Sequence, residues 1–226
     1  MLTDTASRPD LVILLDVDNT LLDNDRFRAD LDDWLTRRLG ADQCRRYADI
    51  YDERRDRLGY ADYLGTIQGM RKGLEHHPAL PELSRFVLDY PFADLFYPGT
   101  PRLLAELGAP CVLVSDGDIV FQPHKIRRSG LWDAGDGRVM VCLHKQDAVD
   151  DIRQRHPARH YVMVDDKVKL LAEMKRAMGE RLSTVFVRQG HYAAAADPHI
   201  QPPPDHTIEH IAELAGLDLP HTVAAA

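Results

Sequence analysis

The sequence predicts an α/β fold: a doubly wound parallel sheet with a helical module inserted after its first strand. Two observations carry this. Short, unbroken apolar runs recur along the chain with helical stretches between them, and strands covered by helices on both faces read as continuous rather than alternating apolar runs. The stretch from Leu15 to Cys111 holds no strand-like run and shows only helical periodicity. A repeated β-α order of this kind gives an open, Rossmann-like sheet.

The first strand is LVILL, residues 11–15. After it, Leu31, Trp34, Leu35 and Leu39, then Tyr47, Tyr51, Arg54 and Leu58, then Tyr60, Tyr63, Leu64, Ile67 and Leu74 fall at helical spacing. The helical module begins near Leu22 and returns through Pro91 to Gly99, where Pro and Gly mark re-entry. This divides the chain into an α/β core of residues 1–21 and 99–226 and a helical unit of residues 22–98. Thr100 as N-cap and Pro101 in the first turn predict a helix through Leu103, Leu104 and Leu107, stopped by Gly108. CVLV (111–114), VMVCL (139–143), YVMV (161–164) and TVFV (184–187) supply the other strands. Between the last two, residues 168–178 carry Val168, Leu171, Met174 and Met178 on one helical face, closed by Gly179. GHYAAAADPHIQPPPD is read as an exposed loop or an arm for a neighbouring subunit, followed by a short helix from Thr207 to Leu214 and a small-residue tail.

The composition narrows the function. The 226 residues carry 28 Lys+Arg against 36 Asp+Glu, a formal charge of −8. That balance disfavours nucleic-acid and anionic-membrane surfaces, which need a net basic face. The opening MLTDTASRPD is polar and the run Leu11–Leu15 too short for a signal or spanning segment, so a cytoplasmic protein is expected. Cys44, Cys111 and Cys142 lack CxxC spacing and suit reduced, buried thiols.

Polar groups gather where the predicted strands end. Strand one runs into Asp16-Val17-Asp18-Asn19-Thr20, the second into Ser115-Asp116-Gly117, the third into His144-Lys145 and the fourth into Asp165-Asp166. Ligands of open α/β sheets bind at the carboxyl ends of the strands. Like charges held close together either raise one another's pKa or need a cation between them, and a hard dication such as Mg2+ is the economical answer. Magnesium takes one or two protein carboxylates and completes its shell with water and substrate phosphate. A hydroxyl and a turn of backbone N–H groups at Ser115–Gly117 suit phosphate oxygens, and a lysine at 145 suits a transferring phosphoryl group. Lys125 and Lys167 are rivals for that role, each otherwise a solvated helix charge. Arg26, Arg54, Arg71 and Lys72 are candidates to meet an anionic substrate, although a charged surface face is the commoner reading. The stripe of Tyr47, Tyr51, Tyr63 and Leu64 reads as helix packing.

DVDNTLL with a helical insert after it, then VLVSDG, HK and VMVDD, in that order, resembles the haloacid dehalogenase superfamily, in the branch with a helical cap between the first and second motifs. The resemblance spans essentially the whole chain. It implies that Asp16 is a nucleophile forming an aspartyl-phosphate and that Asp18 protonates the leaving group and later deprotonates water. It further implies that Ser115 and nearby N–H groups bind phosphate, that Lys145 steadies nucleophile and phosphate, and that Asp166 binds Mg2+ with Asp16 and the Asp18 carbonyl. Asp165 is then a direct or outer ligand, or the cap of the next helix. Thr20 and Gly117 belong to the expected substrate site. Asp116, which stands where the family often has Asn, is expected in the substrate site with them. Asp18 points to phosphate esters over halides, since a halide needs no proton to leave. The expected activity is magnesium-dependent hydrolysis of a small phosphorylated metabolite by a monomer or homodimer. Phosphomutase or phosphonate-cleaving chemistry on the same fold, and a phospho-accepting receiver-like module, are the alternatives.

Overall fold

The computed structural model describes residues 9–219. Its centre is β1 (Leu11–Leu15), flanked by β2 (Cys111–Asp116) and β4 (His160–Asp165); β3 (Val139–Cys142) lies outside β2, and β5 (Leu182–Val187) and β6 (His206–Ile208) outside β4. All six strands are parallel, in the order β3-β2-β1-β4-β5-β6. The fold is the Rossmann-like α/β fold the apolar runs predict. Strand side chains alternate between two cores: Leu11, Ile13 and Leu15 join one buried cluster, Val12 and Leu14 the other. Both faces are therefore covered, which is why the runs are continuous.

Between β1 and β2 lie α1 (Asn24–Leu39), α2 (Ala41–Leu58), α3 (Tyr63–Met70) and α4 (Ala79–Asp89). Tyr60 and Leu74, read as helical, fall in the turns on either side of α3. The helix α4 was not predicted, although Leu80, Leu83 and Val87 are buried on one side of it. Departure and return are fastened together: Leu22 bridges Phe96 antiparallel, and Tyr97 N donates to Leu21 O at 3.1 Å.

In the remainder, α5 (Thr100–Glu106) follows the return, α6 (Phe121–Ser129) and α7 (Leu131–Ala134) lie between β2 and β3, α8 (Val149–Arg155) precedes β4, α9 (Val168–Met178) joins β4 to β5, and α10 (Gly190–Ala194) follows β5. Three expectations are corrected here. The N-cap of α5 is Gly99, at φ 86°, with Thr100 as the first helical residue; the Thr100 hydroxyl is buried against Leu21 O at 3.4 Å and caps nothing. The helix ends at Glu106, before Gly108 is reached. The helix expected over Thr207–Leu214 is instead split, because Thr207 and Ile208 pair with Phe186 and Val187 in β6, leaving a 3-10 turn over Ile211–Gly216. The polar start and the alanine tail lie outside the described residues. Among the described residues no helix is long and apolar enough to cross a membrane. The cysteines are free, with Cys111 buried and Cys44 and Cys142 half-buried.

Candidate active site

Asp16 sits one residue beyond β1, and its N–H still bonds to Val164 O at 3.0 Å, so the ladder carries it rigidly to the sheet edge. The chain then turns sharply. Leu21 N and Leu22 N both return to Val17 O at 2.9 Å, with Asn19 in the left-handed region at φ 60°, which Asn tolerates better than most residues. This turn brings Thr20 back over Asp16, and its hydroxyl donates to Asp16 Oδ2 at 2.9 Å. Thr20 thus holds the first aspartate, whereas the sequence placed it among substrate ligands.

Lys145, on a 3-10 turn over Lys145–Ala148 just past β3, is fully buried. Its Nζ lies 2.5 Å from Asp16 Oδ1 and 2.6 Å from Asp165 Oδ2. Burial alone would push this ammonium down; Asp16, Asp165 and Asp116 more than reverse it and hold its pKa well above that of an ordinary lysine. Asp116 accepts the backbone N–H of Lys145 at 2.8 Å, so its carboxylate fastens the lysine turn to β2. Burial raises its pKa, and Lys145 opposes that. Ser115 is buried, its Oγ accepting from Gln122 Nε2 at 2.8 Å. The N–H of Gly117, expected to face a phosphate, is engaged with Cys142 O at 3.0 Å.

At the end of β4, Asp165 accepts from Lys145 and, through Oδ1, from Lys167 N at 2.8 Å, ahead of α9. The two expectations for Asp165, helix-start partner and member of the acidic cluster, therefore coexist. Asp166 is buried and neither of its carboxylate oxygens has a hydrogen-bond partner. Burial first, then Asp165 and Asp16, raise its pKa to about 9. Asp16 is pushed up to about 6, chiefly by burial, with Lys145 pulling the other way and Asp165 adding to the rise. Ligand oxygens of Asp16, Asp165 and Asp166 lie within 4.8 Å of one another. One lysine shared by two of three buried carboxylates leaves negative charge uncompensated. An all-oxygen donor set with two orphaned oxygens is what a hard dication fits.

Asp18 stands apart from this triad. Its carboxylate pairs with the Lys125 ammonium and accepts from Gln122 Nε2 at 3.1 Å. It opens onto a cavity of about 470 Å3 between α1–α3 and the strand ends. Arg28, Tyr51 and Tyr63 line the helical side, Asp116 and Lys167 the sheet side, and His191 of α10 the rim. Arg28 lies 4.3 Å over the Tyr51 ring and is paired with Asp32 at 3.1 Å. Tyr51 and Tyr63 therefore face ligand space as well as packing. Arg54 is paired with Asp62 and Arg26 donates to Asp94 O, so these two candidates serve local structure.

Sequence reasoning missed Gln122, Gln189, Asp25 and His191, and it named Lys125 only as a rival to Lys145 or a solvated charge. Lys125 is not a solvated helix charge but fully buried; the signal was its position one turn after Gln122, on the face of α6 that also buries Phe121 and Ile126. Gln189, buried, donates to Thr20 O at 3.0 Å and accepts from Ile211 N at 2.7 Å. Asp25 and His191 meet across the rim at 2.6 Å; no local pattern announces that pair.

No family model and no curated protein matches this chain. Solved structures do. A Burkholderia xenovorans LB400 protein assigned as a haloacid dehalogenase-like hydrolase is 50% identical, with TM-score 0.85 over 93% of this chain and 97% of its own. A magnesium-bound Bacillus subtilis HAD-hydrolase shares 17% identity and TM-score 0.60 over 93% and 98% of the two chains. A 2-haloacid dehalogenase from Pseudomonas syringae pv. Tomato DC3000 shares 16% and 0.63 over 93% and 97%. The latter two establish likeness of fold alone.

Proposed function

The chain belongs to the haloacid dehalogenase-like hydrolases, and on that premise we propose that it hydrolyses small phosphate monoesters with Mg2+ through an aspartyl-phosphate, residues 22–98 serving as its cap. The observation that carries this is the pairing of two differently treated carboxylates on one strand end. Asp16 is buried, held through both oxygens by Lys145 and Thr20, and next to the unpartnered Asp166. Asp18 lies outside that cluster and borders the cavity.

In this reading an oxygen of Asp16 attacks phosphorus, and the bond from phosphorus to the leaving oxygen breaks. Asp18 passes a proton to that oxygen as it departs. Asp18 then takes a proton from the water that attacks the aspartyl-phosphate, freeing phosphate and restoring Asp16. Lys145 fixes the orientation of Asp16 and faces the charge that develops on the transferring group. Asp16 and Asp166, with Asp165 beside them, would hold Mg2+, which would supply positive charge against the phosphoryl oxygens. The helices over the cavity exclude water while Asp16 is phosphorylated and admit it afterwards. Their wall sets the leaving group.

Phosphate release from a panel of small monoesters, with Mg2+ and with chelator, tests this. Wild-type protein is expected to turn over at least one ester only with Mg2+, and Asp16→Asn to fall to background while keeping its circular dichroism spectrum. A folded Asp16→Asn protein retaining near wild-type rates, or a wild type silent on every ester, overturns the reading.

A further inference from the structure

Lys125 is a second fully buried lysine at the site, and it does not serve the metal-ligand cluster. It projects from α6 with its Nζ on Asp18 Oδ1 and 2.6 Å from Asn24 Oδ1, at the first residue of α1. The rings of Phe27 and Phe92 lie 5.7 and 5.9 Å from the ammonium. A buried ammonium beside two aromatic rings, with two oxygen partners among the described residues, has little freedom to point elsewhere. One turn earlier on α6, Gln122 bonds both Asp18 Oδ2 and Ser115 Oγ. Both oxygens of Asp18 are thus held from one helix.

We propose that Lys125 is the positioning residue for Asp18, fixing the carboxyl that carries the proton to the leaving group and tying its placement to the start of the inserted helices. The proposal rests on the phosphomonoesterase reading above. When the proton passes from Asp18 to the bridging oxygen, the P–O bond to that oxygen breaks as the Asp16–phosphorus bond forms. The carboxylate left behind faces a cation already in place, and stabilisation of developing charge by a fixed group needs no rearrangement during the step. Through Asn24 Oδ1, the same lysine also touches the first residue of α1.

The step that depends on Asp18 as an acid is leaving-group expulsion, so the defect of a Lys125 variant depends on the leaving group. An alkoxide needs the proton; a nitrophenolate leaves without it. The test compares kcat for an alkyl phosphate and for p-nitrophenyl phosphate in wild type, Lys125→Met and Lys125→Arg. In Lys125→Met the alkyl rate is expected to fall about 100-fold, the low end of what a placed general acid contributes, and the aryl rate less than about fivefold. Lys125→Arg is expected to restore most of the difference. Because each comparison is a ratio within one preparation, partial misfolding lowers both rates and leaves it unchanged; if the Met variant does not fold, Lys125→Gln makes the same comparison. Parallel loss on both esters, or no loss on either, overturns the assignment of Lys125. A wild type inactive on both these esters and on the whole monoester panel removes the phosphatase reading itself.

Discussion

Among the described residues nothing donates to the Asp166 carboxylate. Its folded pKa is about 9 against 3.8 for the free side chain, so the neutral acid is favoured in the fold. That contribution is present below pH 3.8 and is lost as pH climbs toward 9. Protein stripped of divalent cations is therefore expected to lose stability as pH rises through the neutral range, and Mg2+ to return it. Asp166→Asn stays neutral in the same shape. At pH 8 in chelator it should melt above wild type, and added Mg2+ should raise the wild-type melting temperature but not the variant's. A chelated variant that melts below wild type would contradict the account. Much at this scale was legible before folding: Asp16, Ser115, Lys145 and Asp165 were visible because a polar group ending an apolar run is conspicuous. Lys125 was visible only as a rival to Lys145; its burial on Asp18 was not, since a lysine on an amphipathic helix looks the same whether its face meets solvent or a carboxylate more than a hundred residues earlier.

The elements that escaped the sequence share a cause. In β6 only Ile208 of three residues is buried, so no apolar run marks it; its pairing with β5 decides it. The helix α10, hidden in a stretch read as loop or arm, is five residues long and buries none of them. It is placed by a tertiary fit: Gly190, at φ 72°, approaches Asn19 so closely that a Cβ would lie 2.5 Å from its side chain. A similar fit joins α2 to the lysine turn. Gly59 closes α2 in the left-handed conformation at φ 81°, and a Cβ there would lie 2.3 Å from His144 Cε1, next to Lys145. Gly59→Ala meets two separable penalties, backbone strain of about 1 kcal/mol and the clash. The single variant is expected to lose roughly 2 kcal/mol of stability in urea titration and to slow turnover, since the displaced ring belongs to the residue immediately before Lys145. Gly59→Ala with His144→Ala keeps the strain and removes the clash, so it should recover about half of the stability lost.

Across the whole molecule, the parallel sheet with both faces covered was the most legible feature, because burial on two sides writes itself as continuous apolar sequence. How the inserted helices meet the sheet edge was not, since that contact is made by residues far apart in the chain. Asp25, in the first turn of α1, is its hub at the rim. One oxygen accepts from Asn19 Nδ2 at 3.0 Å and lies 2.6 Å from His191 Nδ1; the other accepts from His191 N at 2.8 Å. This joins the turn after β1, the start of the inserted helices and α10 beside the cavity. The carboxylate is about a third exposed, so its bonds are worth modest amounts in stability, about 1 kcal/mol in sum. They matter more for the mouth of the cavity, where none of the five residues of α10 is fully buried. Asp25→Ala is therefore expected to leave the melting temperature within a few degrees of wild type, while amide exchange speeds up at residues 190–194 and not in β1 or β4. With α10 released from the rim, substrate binding should weaken several-fold in KM, and kcat should change less, because Asp16, Lys145 and Asp165 are anchored through the sheet and not through α10. Unchanged exchange at 190–194, or a kcat loss that outstrips the change in KM, would show that Asp25 does not organise the rim in this way.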